Sequence, residues 1–269
     1  MDDVILTAAL TGPIATKEDS PSLPTSPEEI AAAAAESCGA GAGIVHVHLR
    51  DAQGRPTADL GIAERVVRMI EEESPVLVQL STGVGLEVPF EERMRLVESK
   101  PTMATLNVCS MSFGRGEFRN PPEGVRRLAA RMRELGVKPE LELYDSGHLE
   151  VALSLLEEGI LEPPLQFSLV MGVAGGMAPT AENLSHLVAR LPEGSAWQVI
   201  GIGRANLSMT AIGLAMGGNA RTGMEDTLMV RRGVPARSNG ELVIRLGEIA
   251  KSLERAPASP ARARELLSV

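Results

Sequence analysis

Residues 43–51, GIVHVHLRD, carry two of the chain's four histidines one residue apart inside a β-branched run. Side chains alternate faces along a strand with a period of two, so His46 and His48 point one way while Val45, Val47 and Leu49 point the other. Two imidazoles converging on one small volume are either a hydrogen-bonded core pair or ligands to a metal ion, and imidazole is a common ligand. Other polar groups follow. Ser81-Thr82-Gly83 closes one apolar run, Thr105 and Asn107 stand in another, and Glu140, Glu142 and Tyr144 share one face of PELELYD, with Asp145 next. Two further runs end in the glycine-rich turns GVAGG and GIGR, and another is followed by GGNARTGMED. Taken singly, each has an ordinary reading: Ser81 and Thr82 as turn formers, Asn107 as a satisfied core amide, Glu142 as the partner of a buried arginine. Taken together they make an active site if one scaffold gathers those ends.

The intervening sequence supplies such a scaffold. Apolar or β-branched runs at 4–10, 44–50, 76–81, 103–109, 139–145, 165–171, 197–202 and 219–222 read as strands. Between them lie segments of helical spacing: PEEIAAAAAESCGA, AERVVRMIEEE, FEERMRLVES, EGVRRLAARMRELG, HLEVALSLLEEG, AENLSHLVARLP, NLSMTAIGLAMGG and ELVIRLGEIAKSLERA. Thr25-Ser26-Pro27 ahead of Glu28-Glu29, and Thr180 ahead of Glu182, place hydroxyls and acids where free helix N–H groups need acceptors. Strict alternation over 269 residues predicts a single (β/α)8 TIM barrel across 1–269, in preference to a doubly wound sheet. PASPARARELLSV adds a proline-started C-terminal helix. In such a barrel, catalytic groups gather at the C-terminal ends of the strands, where the polar residues above fall.

Composition narrows the function. The chain is 44% hydrophobic and carries 26 Lys+Arg against 35 Asp+Glu, a net charge of −9. No basic tract or aromatic-rich stretch offers itself to a phosphate backbone, which argues against nucleic acid. MDDVILTAAL sets acids before an apolar run too short for a signal peptide or membrane span, so a cytoplasmic protein is expected. Cys38 and Cys109 are the only cysteines, without a CxxC, which excludes a disulfide framework and a thiolate zinc site. GIGR lacks the third glycine of a dinucleotide fingerprint, since Gly201 and Gly203 are followed by Asn206. His148 and His186 fall in helical segments with surface or packing roles expected, and Trp197 and the methionines read as packing.

The ordered motifs TAALTGP with LPTSPEEI, AGIVHVHLRDAQGRP, QLSTG, MATLNVCSMSFG, PELELYDSG, GVAGGM, GIGR and GGNARTGMED resemble the β-keto acid cleavage enzymes from end to end. The resemblance implies a TIM barrel with a divalent metal, usually zinc, held by His46, His48 and Glu225. It implies an Arg221–Asp226 dyad, an active-site carboxylate at Glu142, and substrate contacts from Ser81, Thr82, Gly83, Thr105 and Asn107. The implied reaction joins a β-keto acid with acetyl-CoA to give acetoacetate and a new acyl-CoA, in a homotetramer. Arginine stays protonated far above neutral pH, so Arg221 reads as a cationic clamp, and Asp226 or Glu142 as the proton acceptor.

Two positions depart from the family pattern. Members that take an amine-bearing substrate resemble one another in an acid after the TGA turn, whereas TGPIAT has Ile14 there, which predicts a non-amine acyl chain. The STGVGLEV turn is shorter than the family's glycine-rich version, so no contact beyond Gly83 is carried over. Arg204, in the turn after the seventh strand, reads as a contact for coenzyme A phosphates or as a salt-bridge partner. Two alternatives stand beside the leading reading: a zinc hydrolase on the same barrel, and a metal-dependent binding or sensing barrel without turnover.

Overall fold

The computed structural model describes residues 3–269; Met1 and Asp2 of the acidic start lie outside the described residues. Eight parallel strands close into a barrel in sequence order: β1 (Leu6–Thr11), β2 (Ile44–Val47), β3 (Leu77–Leu80), β4 (Met103–Asn107), β5 (Lys138–Leu143), β6 (Gln166–Met171), β7 (Ala196–Gly201) and β8 (Asn219–Thr222), with β8 pairing back onto β1. Around it lie α1 (Pro27–Gly39), α2 (Leu60–Glu73), α3 (Phe90–Arg93), α4 (Pro122–Leu135), α5 (Ser146–Glu157), α6 (Ala181–Val188), α7 (Asn206–Ala215) and α8 (Asn239–Ser252), with α9 (Pro260–Leu267) at the end.

Local chemistry explains these elements. At the start of α1 the Ser26 hydroxyl accepts the Glu29 N–H while the Glu29 carboxylate accepts the Ser26 N–H, and Pro27 occupies the first turn. On α2, Ala63, Val66, Val67 and Ile70 recur at helical spacing and bury one stripe in the core. The same logic seats α9: Ser259 caps it, and Ala263 and Leu267 pack with Ile5, Ile44, Leu77 and Met103. Since those last four lie at or just before the starts of β1 to β4, α9 covers the N-terminal mouth of the barrel. Polar chemistry is left to the opposite mouth.

The structure revises several boundaries. The first expected strand divides, because Asp3–Val4 pairs with Ala256–Pro257 and the barrel strand begins at Leu6. β2 ends at Val47, so His48 and Arg50 lie beyond it. β4 ends at Asn107 and β5 at Leu143, which sets Cys109, Tyr144 and Asp145 outside their strands. The expected helix FEERMRLVES is the short α3 followed by a 3-10 segment, Met94–Ser99. Pro89 gives α3 no side-chain cap, and the buried Arg93 side chain spends itself on distant carbonyls. Two hairpins were not foreseen: Met111–Phe113 with Gly116–Phe118, and Met229–Arg231 with Val234–Pro235.

Candidate active site

The interior of the barrel is polar because the inward-facing positions of its strands are. His46 pairs in register with Gln79, Thr105 with Glu140, Asn107 with Glu142, and Glu140 with Gln166, so these groups stack in layers inside the cylinder. His46, Gln79, Thr105 and Glu140 are fully buried. Such groups persist only if hydrogen bonds replace the lost water. Glu140 Oε2 accepts from Gln79 Nε2 at 2.6 Å, Gln198 Nε2 at 3.0 Å and Gln166 Nε2 at 3.1 Å. Burial, with the neighbouring Glu142 charge, still pushes the Glu140 pKa up.

This floor orients the first histidine. The Gln79 amide nitrogen is committed to Glu140, so its Oε1, 2.7 Å from His46 Nδ1, accepts a proton carried there. In the neutral imidazole His46 Nε2 is therefore a lone pair. It is buried without a hydrogen-bond partner and lies 3.5 Å from Glu225 Oε2, itself buried and unpartnered. Two electron pairs facing each other at that distance call for a cation. His48 Nε2 lies 3.5 Å from Glu225 Oε1, and ligand atoms of the three residues all fall within 4.8 Å of one another. Two imidazoles and one carboxylate so placed are a donor set that could hold a divalent cation and leave positions open. Burial lowers the His48 pKa, favouring the neutral, ligating form. At His46, burial and the Arg221 cation oppose charge, but Glu225 and Glu142 outweigh them and lift the pKa; a bound cation would occupy the place of that proton.

The loop after β8 is fixed so that Glu225 reaches this point. Glu225 N–H donates to Ala9 O at 3.2 Å, and Met224 N–H to Asn239 Oδ1 at 2.8 Å, while Asn239 Nδ2 donates to Leu10 O. Gly12 faces Glu225: a Cβ there would come within 2.6 Å of Glu225 Cγ. Gly223, at φ +149°, allows the turn to press against Ala9, where a Cβ would stand 2.1 Å from its carbonyl oxygen.

Arg221 sits across the site. Its Nε and Nη2 bond the two Asp226 oxygens at 3.0 and 2.8 Å, and Nη2 also reaches Glu225 Oε1 at 2.6 Å. Nη1 is buried without a hydrogen bond, 3.6 Å from Glu142 Oε1. Burial opposes the charge on Arg221, but Asp226 and Glu225 hold its pKa well above the ordinary arginine value. Burial would lift the Glu225 carboxyl; Arg221 and the two imidazoles hold it well below the carboxylate range. Burial does win at Asp226, whose pKa is raised despite Arg221. A guanidinium so held binds an oxyanion and takes no proton. Glu142 Oε2 accepts from the Tyr144 hydroxyl at 3.3 Å, and burial with the Glu142 charge keeps that phenol protonated.

The remaining expected residues divide. Asn107 is buried with both amide atoms unpartnered. A Cβ at Gly83 would come within 3.4 Å of Ser81 Oγ and 3.7 Å of Asn107 Nδ2, so these three meet at one place. Thr82 and Thr105 satisfy each other: Thr82 N–H donates to Thr105 Oγ1 at 2.9 Å and Thr82 Oγ1 to Thr105 O at 2.8 Å. Ile14 is 75% exposed, and Arg204 is exposed on the turn after β7. His148, in the first turn of α5, is buried beside the end of β5, where its Nδ1 accepts the Tyr144 N–H at 3.3 Å.

Sequence reasoning did not single out Gln79 or Arg93, and it placed Arg50 with His46 and His48 at the polar end of the second strand. Arg50 donates to Gly54 O, Gly12 O and Ala15 O, tying the loop that bears Ile14 to the one after β2. Arg93 donates to Thr82 O at 3.0 Å and lies between the Phe90 and Phe118 rings, its pKa brought down by burial to about 10. The GVAGG turn packs beneath the first hairpin: a Cβ on Gly175 would lie 2.0 Å from Ser112 O, so these glycines serve backbone contact.

A closed parallel barrel with a buried His-His-Glu cluster and a clamped arginine at the mouth where its strands end is the arrangement of a TIM-barrel enzyme. The family model for the beta-keto acid cleavage enzyme matches residues 3–269, and the chain belongs to that family. It is 38% identical to a 3-keto-5-aminohexanoate cleavage enzyme of Fusobacterium nucleatum subsp. nucleatum, over 100% of this chain and 99% of that one. It is 32% identical to a 3-oxoadipate:acetyl-CoA acetyltransferase of Cupriavidus necator, over 98% of this chain and 94% of that one. Among solved structures, a ternary complex of ObcA with C4-CoA adduct and oxalate shares the fold, with a TM-score of 0.78 at 22% identity, covering 93% of this chain and 68% of that one.

Proposed function

We propose that this chain exchanges acyl groups between a β-keto acid and acetyl-CoA, giving acetoacetate and a new acyl-CoA, with a divalent metal held by His46, His48 and Glu225. The observation that carries the reading is the pair of unpartnered atoms His46 Nε2 and Glu225 Oε2, 3.5 Å apart, beside the free Nη1 of Arg221. Relatives named for keto acid cleavage and for acetyl transfer from acetyl-CoA support the substrates. A cytoplasmic location and a homotetramer belong to the same reading; among the described residues no helix is long and apolar enough to cross a membrane.

Held by these three ligands, a zinc ion would supply Lewis acidity toward a keto oxygen. The protein's own groups do the rest. Arg221 offers Nη1 to the substrate carboxylate or to the enolate oxygen that develops as a proton leaves the carbon between keto and carboxylate groups. Glu142 takes that proton: it faces Arg221 Nη1, whereas both Asp226 oxygens are committed to Arg221. Asp226 therefore positions Arg221. Asn107 and Ser81 meet the substrate's polar end, with Gly83 leaving room for it, while Thr82 and Thr105 brace that turn. The enolate carbon attacks the acetyl carbonyl. The coenzyme thiolate so released then adds to the original keto carbon, and the bond between that carbon and the former enolate carbon breaks, giving the new acyl-CoA and an acetoacetate enolate that takes its proton back from Glu142. Ile14 gives an ammonium no partner, which favours a neutral or apolar acyl chain.

The hydrolase alternative is not supported. Among the described residues the ligand cluster holds His46, His48 and Glu225 alone, with His148 engaged by Tyr144 and His186 on α6. A panel of β-keto acids, assayed with and without acetyl-CoA and with products weighed by mass spectrometry, tests the proposal. Acyl-CoA formed only with acetyl-CoA supports it; acids released at equal rates without the thioester overturn it.

A further inference from the structure

Three features of the barrel mouth take no part in the chemistry above: the GVAGG turn, the first hairpin and His148. All three converge on Tyr144, the single tyrosine of the chain. Its N–H donates to His148 Nδ1 at 3.3 Å, and its carbonyl accepts the N–H of Met177, the residue after the GVAGG turn, at 2.8 Å. Gly176 lets that turn lie against it, since a Cβ there would stand 2.8 Å from the Tyr144 carbonyl oxygen and 3.2 Å from its Cβ. The hairpin is tied to the same turn by Gly114 N–H, which donates to Ala174 O at 2.9 Å, and it sets the Phe113 ring with its centroid 5.9 Å from that of Tyr144. The His148 ring lies 6.1 Å away, and the buried side chains of Val170 and Ile200 pack in the same cluster. A phenol enclosed on so many sides can aim its hydroxyl in few directions.

The direction it takes is Glu142. Tyr144 lies two residues on, on the same inward face, and its hydroxyl donates to Glu142 Oε2 at 3.3 Å. Among the described residues it is the only hydrogen-bond donor to that carboxylate. The other oxygen, Oε1, lies 3.6 Å from Arg221 Nη1, which is buried without a hydrogen bond. Opposite charges buried this close attract strongly, and closing the last few tenths of an ångström would spend both groups on each other. The hydroxyl on Oε2 holds the carboxylate back. Its bond is long for a hydroxyl and a carboxylate, as catalytic hydrogen bonds are before substrate enters. Burial and the Glu142 charge keep the phenol protonated, so it donates throughout.

We propose that Tyr144 is a positioning residue for proton abstraction, holding Glu142 by Oε2 so that Oε1 stays free for the substrate's proton and Arg221 Nη1 for the substrate's oxygen. The assignment rests on the reading of Glu142 as proton acceptor. In the step it serves, Glu142 Oε1 gains the proton from the carbon between the keto and carboxylate groups. The electron pair of that carbon–hydrogen bond passes into the enolate, and Tyr144 keeps its own proton. His148, the hairpin and the GVAGG turn act through Tyr144 by fixing its backbone and ring.

The test takes the zinc-loaded enzyme and acetoacetate in heavy water without acetyl-CoA, and follows deuterium entering the carbon between the two carbonyls by proton magnetic resonance, above the enzyme-free rate. Tyr144→Phe keeps the ring and removes the hydroxyl. Exchange should fall about 10- to 100-fold, the worth of a hydrogen bond to a charged group. A second measurement leaves the tyrosine intact. With one tyrosine in the chain, carbon-13 at the phenol carbon gives one resonance, which should shift on Glu142→Leu as the hydroxyl loses its acceptor. Exchange in Tyr144→Phe within roughly twofold of the wild type, or a resonance that ignores Glu142→Leu, overturns the role of Tyr144 and leaves the proton-acceptor reading standing. A wild type that exchanges no faster than buffer overturns that reading, and this role with it.

Discussion

Gln79→Met isolates the control of the proposed metal ligand His46 by the barrel floor. The substitution keeps length and approximate volume in a fully buried position, so no large cavity opens. It deletes the 2.7 Å bond to His46 Nδ1 and the 2.6 Å bond to Glu140 Oε2. Two net hydrogen bonds are worth about 1–3 kcal/mol together. The penalty at Glu140 stays small, because Gln166 and Gln198 still donate to the same oxygen. At His46 Nδ1 no other acceptor replaces Gln79, so the proton is free to move to Nε2, the atom that faces Glu225. The expected loss in zinc affinity is roughly 10–100-fold, as for removal of a partner that fixes a ligand's tautomer. The melting temperature of the metal-free protein should fall by roughly 2–12 °C, taking about 2–4 °C per kcal/mol for a chain of this size. Competition with a chelating dye gives the affinity and calorimetry the melting temperature. Zinc affinity within twofold of the wild type, alongside the expected fall in melting temperature, would refute the tautomer argument while leaving the hydrogen bonds real.

Arg221→Met should lower kcat by about two orders of magnitude or more with zinc content unchanged, as when one donor to a developing oxyanion is lost; metal loss in the same proportion would make Arg221 a support for Glu225 only. Glu140 has a raised pKa in the folded chain, so its contribution to stability is full below the unfolded carboxylate value of 4.5 and is lost as pH rises through the folded value. Urea denaturation of the metal-free protein from pH 4 to 8 should therefore show the wild type losing stability relative to Glu140→Gln and then levelling, and a constant difference contradicts the assignment. Ile14→Glu should raise kcat/KM for an amine-bearing keto acid relative to a neutral one by about two- to fivefold, the worth of a solvent-exposed ion pair; an unchanged ratio removes Ile14 from the acyl-chain pocket.

The fold and the inward-facing polar groups of the strands were legible because both rest on local rules. The period of two set His46, Glu140 and Glu142 inside the barrel, and the eight apolar runs spaced by helical segments recovered every barrel strand. Family resemblance supplied Glu225, which no local rule joins to His46 across so much intervening chain. What stayed hidden depends on register between strands. Gln79 lies level with His46 only because β2 and β3 pair that way, and no residue near Gln79 in sequence announces it. Arg50, expected among the polar groups at a strand end, and Arg93, which nothing in the sequence marks, show their work only once the carbonyls they hold are placed. Thr82 and Thr105 show the converse, since motif matching named them for substrate and the structure pairs them with each other.

The central claim is that the carbon–carbon exchange joins the acetyl unit of acetyl-CoA to the carbon that Glu142 deprotonates. Acetyl-CoA carrying carbon-13 in both acetyl carbons, incubated with zinc-loaded enzyme and an unlabelled β-keto acid, follows that unit directly by nuclear magnetic resonance. The account predicts label in the methyl and keto carbons of acetoacetate and none in the new acyl-CoA. Label retained in acetyl-CoA while two free acids accumulate would contradict it.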